Sequence, residues 1–111
     1  MIFKFEPIYK ERIWGGTKIR DLFGRETPVG SRIGESWEIV DRKDDNSVLA
    51  NTTLRGLTLS VLLETEGKSV MGPNWEHGRP FPLLVKWLDC SKRLSLQVHP
   101  PGKIAKKLSG E

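Results

Sequence analysis

Cysteine is almost missing from this chain: Cys90 is the only one among 111 residues. An internal disulfide is therefore impossible, and a Cys-rich zinc site is excluded by count. The thiol is expected to act as a small buried hydrophobe beside a turn. Histidine is nearly as scarce, with His77 and His99 alone. No apolar run approaches the roughly 20 residues that span a bilayer. The opening Met1-Ile2-Phe3-Lys4-Phe5-Glu6 has neither the basic stretch nor the long apolar stretch of a secretory signal. These absences predict a cytoplasmic protein with no membrane partner. Internal repeats and low-complexity tracts are also lacking, as are G-x-G-x-x-G or Walker spacing and any Ser-His-Asp order.

What is present describes one globular domain. Hydrophobic content of 37% and charged content of 29% fit a folded chain with a modest core. Eighteen basic against fourteen acidic side chains leave +4, with one concentration at Lys103, Lys106 and Lys107. No aromatics interleave that cluster, so it reads as a solvated helix face and no nucleic-acid partner is expected. A small anion such as a sugar phosphate is compatible with the same mild excess; charge alone does not choose.

Punctuation divides the chain. Phe3, Phe5 and Ile8 flank Pro7 in an extended arm, and Trp14-Gly15-Gly16 reads as a turn. Lys18 to Phe23 fits a single helical turn ending at Gly24, and residues 25–34 a loop. Ser36 to Val40 alternates as a strand, with Trp37 and Ile39 on one face and Ser36, Glu38 and Val40 on the other. A charged turn, Asp41 to Asn46, leads to a short strand, Ser47 to Ala50. Thr58 is placed to cap a helix over residues 59–66, with Leu57 as a hydrophobic staple and Gly67 as its stop. Residues 71–82 read as loop. Phe81 to Asp89 is nearly all apolar and predicts a buried strand. After a turn over Cys90 to Arg93, Leu94 to Pro100 returns as its antiparallel partner, and Lys103 to Leu108 fits a short helix.

The returning strand carries the best organised chemistry. Leu94, Leu96 and Val98 point one way; Ser95, Gln97 and His99 point the other. Residues two apart lie about 6.6 Å apart along a strand, so Gln97 and His99 can lean onto one metal ion. Glutamine is an unusual zinc ligand, and two donors do not complete a zinc site. Lys86 is the sole charge within Leu83 to Leu88, so its ammonium must find solvent, a carboxylate or an anion. Glu35 and Glu38, three apart, fall on opposite strand faces and are not expected to act as an acid pair. His77 reads as an exposed loop residue, and Trp14, beside two glycines, as a candidate pocket wall.

Four segments together resemble a known family: Ile13-Trp14-Gly15-Gly16, Gly34-Glu35-Ser36-Trp37-Glu38-Ile39, Phe81-Pro82-Leu83-Leu84-Val85-Lys86, and Leu94-Ser95-Leu96-Gln97-Val98-His99-Pro100-Pro101. In order and spacing they are similar to the type I phosphomannose isomerases, over essentially the whole chain. The resemblance implies a mainly β fold, a cupin or jelly-roll barrel left incomplete here, with two or three short helices. It implies a zinc-dependent aldose–ketose isomerase interconverting mannose 6-phosphate and fructose 6-phosphate. Gln97 and His99 would be two of four Zn2+ ligands; Ser95, Lys86 and Trp14 would line the substrate pocket, with Lys86 near the phosphate. The family continues into a Lys-Thr-Glu-x-Trp-Tyr segment whose Glu is a zinc ligand, and a further His ligand follows. Residues 1–111 therefore read as the N-terminal part of the domain, with about half of the metal site and no evident catalytic base. The partner would be a second copy or the remaining part of the domain. The competing reading is a non-catalytic cupin-like module that binds a metal or a sugar.

Overall fold

The computed structural model describes residues 2–92. Ser95, Gln97 and His99, the strand Leu94 to Pro100 and the helix Lys103 to Leu108 lie outside the described residues. Among the described residues three strands form one antiparallel sheet in the order β1-β2-β3: β1 is Ile8–Gly16, β2 Ile33–Ile39 and β3 Val85–Leu88. Two helices, α1 (Lys18–Phe23) and α2 (Leu59–Met71), accompany it. The sheet is open, as expected of an incomplete barrel.

Local signals set the helices. α1 spans the expected residues and ends at Gly24, whose φ of 63° is the left-handed conformation that glycine takes without steric cost. At the start of α2 the Thr58 hydroxyl accepts the Val61 N–H at 3.2 Å, the expected cap. The expected stop at Gly67 is corrected. α2 bends at Glu66 but runs on to Met71, and the Gly72 N–H closes it onto the Lys68 carbonyl. Gly67 is buried, and a Cβ there would stand 2.5 Å from Trp75 Cδ1. The glycine admits the indole; it does not break the helix. Leu59, Leu62 and Leu63 of α2 join Leu49 in the main core, with Phe3, Phe5, Ile39 and Phe81 packed around them. Phe5 bridges Leu49 and Val48 bridges Thr58, so the Ser47 to Ala50 strand is present only as isolated bridges.

The strands depart further from expectation. Trp14-Gly15-Gly16 is the end of β1 and not a turn. The strand was hidden because its register against β2 slips after Lys10 and again after Glu11, and because Lys10 and Arg12 take the inner positions while Ile13 is 83% exposed. β2 begins at Ile33, three residues earlier than read, and Val40 lies beyond its end. β3 is shorter than Phe81 to Asp89, and all four of its residues are exposed. A continuous apolar run marks surface that needs cover; among the described residues β3 is an edge strand paired only with β2.

The burial expected of Cys90 is also corrected. Cys90 is exposed, and the buried residue is its neighbour Asp89, at 6% exposure. A carboxylate can be buried there because Asp89 Oδ2 accepts the Lys18 backbone N–H at 2.8 Å, at the start of α1. Gly16 leaves room for it: a Cβ at that position would stand 2.7 Å from the same oxygen.

Candidate functional site

Residues opposite each other on an antiparallel pair share a face. Lys10 lies opposite Glu35, Ile8 opposite Trp37 and Lys86 opposite Trp37. One face of the sheet therefore gathers Lys10, Glu35, Trp37 and Lys86, and the side chain of Arg12 joins them. Glu35 sits at the centre. Its Oε1 accepts from Lys86 Nζ at 2.6 Å, and its Oε2 pairs with an Arg12 guanidinium nitrogen at 2.7 Å. Both carboxylate oxygens are thus engaged, one by each flanking strand.

Burial is unequal across this triad. The Glu35 side chain is 7% exposed, whereas Arg12 and Lys86 are 39% and 36% exposed. An acid lies at the floor, and two cations sit above it within reach of solvent. Burial alone would raise the Glu35 carboxyl, but hydrogen bonding and charge from Lys86, with the charge of Arg12, outweigh it. The group is held below the ordinary carboxylate range. Trp37, 9% exposed, extends the site with a π face: Lys10 lies 4.6 Å, Arg42 5.5 Å and Lys86 5.8 Å from its ring centroid. Lys10 is itself paired with Asp45 at 2.7 Å.

The opposite face is built as a closed clamp. Arg25 grips Glu38 with both terminal nitrogens, at 2.6 and 3.1 Å, and also donates to Ser36 Oγ at 2.8 Å. The Glu38 hydrogen bond raises Arg25, and burial raises Tyr9 beside it. This clamp ties the segment after α1 to β2. Glu35 and Glu38 stand on opposite faces, each with its own cation, as the strand alternation requires.

Of the residues singled out from the sequence, Lys86 finds the partner its position demanded, and that partner is Glu35. Trp14 stands beside Arg12 at Gly34: a Cβ at Gly34 would lie 2.6 Å from Trp14 Cζ3 and 2.7 Å from Arg12 Cβ. The Trp14 carbonyl also accepts the Ser91 N–H at 2.8 Å. His77 is exposed and borders a cavity of about 610 Å³ with Arg42, Asn46 and Glu64, which includes neither Lys86 nor Glu35. Ser95, Gln97 and His99 fall outside the described residues. Among the described residues, no three of His, Cys, Asp and Glu gather where one metal ion could hold them. Glu35 has both oxygens committed to cations. Sequence reasoning missed Arg12, because the alternation of Lys10 and Arg12 against Glu11 and Ile13 does not say which parity faces inward.

The chain matches, over residues 2–111, the family described as phosphomannose isomerase type I, catalytic domain. It is 42% identical to the probable mannose-6-phosphate isomerase GmuF of Bacillus subtilis, covering 91% of this chain and 31% of that protein. With the mannose-6-phosphate isomerase ManA of the same organism it shares 40% identity, covering 91% and 30%. The crystal structure of the mannose 6-phosphate isomerase from Bacillus subtilis aligns with a TM-score of 0.80 at 37% identity, over 97% of this chain and 33% of that one. The chain spans about a third of the length of these relatives. No helix among the described residues is long and apolar enough to cross a membrane.

Proposed function

The chain belongs to the type I phosphomannose isomerase family, and we propose that it supplies the N-terminal part of a site interconverting mannose 6-phosphate and fructose 6-phosphate. The observation that carries this reading is the Lys86–Glu35–Arg12 arrangement. Two cations from different strands converge on one point of one sheet face and are open to solvent. Lys86 offers three ammonium donors to a phosphate dianion, and its flexible stem lets it follow the ligand. Trp14, packed on Gly34 beside Arg12, gives an apolar wall against which a sugar ring can lie. Ser95 is assigned to the same pocket through the family motif, as a hydroxyl for the sugar.

Isomerisation moves a proton between C1 and C2 of the open-chain sugar, and negative charge develops on the carbonyl oxygen as it does so. Zinc is the cofactor we assign. Gln97 and His99 would hold it, and a bound zinc would polarise that carbonyl. Glu35 is an unsuitable third donor while Lys86 and Arg12 occupy its oxygens, so the described residues serve the phosphate end and the segment after Arg93 serves the metal end. No described side chain is assigned as the base.

Zinc affinity of the purified chain tests the metal half of the proposal. With two of the four donors the chain holds zinc weakly, so zinc is titrated into it and not read after desalting; His99→Ala is expected to lose about tenfold or more in affinity. Equal zinc affinity in the two proteins removes His99 from the site.

A further inference from the structure

We propose that Glu35 is a resident counter-ion, standing where an incoming phosphate must compete, and that Arg12 together with Lys86 forms a two-cation clamp that exchanges this carboxylate for the ligand. The inference deepens the phosphate role given to Lys86 above and rests on that reading.

Three observations carry it. First, the acid is fixed and the cations are not. Glu35 lies on the central strand, with backbone partners on both sides at Lys10 and Leu88. Arg12 and Lys86 come from the flanking strands on long stems. Second, the acid is buried and the cations are not, so a ligand approaching from solvent meets the guanidinium and ammonium first. Third, the neighbouring cation on this face is already satisfied: Lys10 is held by Asp45 and by the Trp37 ring. Arg12 and Lys86 share a single carboxylate, which leaves the triad with one unit of positive charge.

The physical consequence runs against intuition. In an empty site the carboxylate keeps two cations converged and spares them mutual repulsion. In an occupied site it repels the phosphate and competes for the same donors. Removing its charge while keeping its shape therefore strengthens phosphate binding. Removing Arg12 weakens it, because one arm of the clamp is lost and Glu35 then claims Lys86 alone. Glu35 is a positioning residue in this account and Arg12 a binding residue, and together they set how tightly the anionic end of the ligand is held.

The test uses the full chain and inorganic phosphate, followed through the indole N–H resonances in two-dimensional NMR. The Trp37 ring lies 5.8 Å from Lys86 Nζ and reports on the clamp; Trp75, packed on Gly67, serves as the distant reference. Glu35→Gln is expected to bind phosphate about threefold to tenfold more tightly than the native chain, a range set by removing one charge at clamp distance in a partly solvated site. Arg12→Met is expected to weaken binding by a similar factor, and Arg12→Lys to restore part of it, with the Trp75 signal unmoved throughout. Phosphate that binds at Trp37 with equal or lower affinity in Glu35→Gln overturns the exchange while leaving the Lys86 assignment intact. A flat Trp37 response in every variant overturns both. Should Glu35→Gln fail to fold, Arg12→Met and Arg12→Lys decide: native affinity in both contradicts the clamp.

Discussion

Glu35 is the residue on which most of the local electrostatics turns. Its carboxyl is depressed because Lys86 and Arg12 together outweigh the effect of burial. A depressed pKa means that the unfolded chain binds a proton more readily than the folded one, so the ion pairs stabilise the fold above the ordinary carboxylate range. That contribution is lost as pH falls through the folded value. The charged groups facing Glu35 are Lys86 from β3 and Arg12 from β1, and Lys10 opposite it is engaged by Asp45. Urea unfolding between neutral and acidic pH is expected to show a decline in midpoint that is shallower in Glu35→Gln, which starts from a lower midpoint at neutral pH. Parallel declines in the two proteins would show that Glu35 titrates alike in both states. Much of this was legible from the residue types. A lone lysine in an apolar strand had to find solvent, a carboxylate or an anion, and two glutamates three apart had to part to opposite faces. Arg12 was not legible, because nothing in a run such as Lys10-Glu11-Arg12-Ile13 says which parity faces inward until the strand is paired.

Elements defined by local chemistry were read well, and those defined by long-range pairing were not. The Thr58 cap and the left-handed Gly24 act within a few residues of themselves, so α1 and the start of α2 are visible in sequence. β1 depends on pairing with residues 17 to 29 positions away, through two register slips. The buried Asp89 depends on the start of α1, from Lys18, 71 positions distant. Gly67 shows how one residue type carries two meanings. As a helix stop it would take the left-handed backbone that glycine alone adopts freely; as the seat of Trp75 it stays helical and gives the indole room. Gly67→Ala gains up to about 1 kcal/mol of helix propensity, but the added Cβ meets the indole at 2.5 Å, and overpacking costs about 1–3 kcal/mol. The thermal midpoint of Gly67→Ala is therefore expected to fall, and a rise would show that the indole gives way to a Cβ at no net cost.

At the scale of the molecule, the described residues form an open three-stranded sheet with β3 at its edge, in a chain that spans about a third of a family member. The apolar run Phe81 to Asp89 predicts burial because such runs are usually covered; Val85, Trp87 and Leu88 are instead about half exposed. What the run encodes is a surface suited to cover, and pattern alone does not say where the cover comes from. The site follows the same division: the cationic cluster of Arg12, Glu35 and Lys86 is assembled by the three strands, and the metal end is what we propose for Gln97 and His99, with donors from the rest of the family's domain.

Joining residues 1–111 to the remaining two-thirds of the Bacillus subtilis mannose 6-phosphate isomerase, in place of the equivalent N-terminal part, tests the account most directly. The chimera, supplied with zinc, is expected to convert mannose 6-phosphate to fructose 6-phosphate, and Lys86→Met within it to lower kcat/KM by about tenfold to a hundredfold, the range for one charge-assisted hydrogen bond. A folded, zinc-loaded chimera that isomerises nothing, or one indifferent to Lys86→Met, would contradict it.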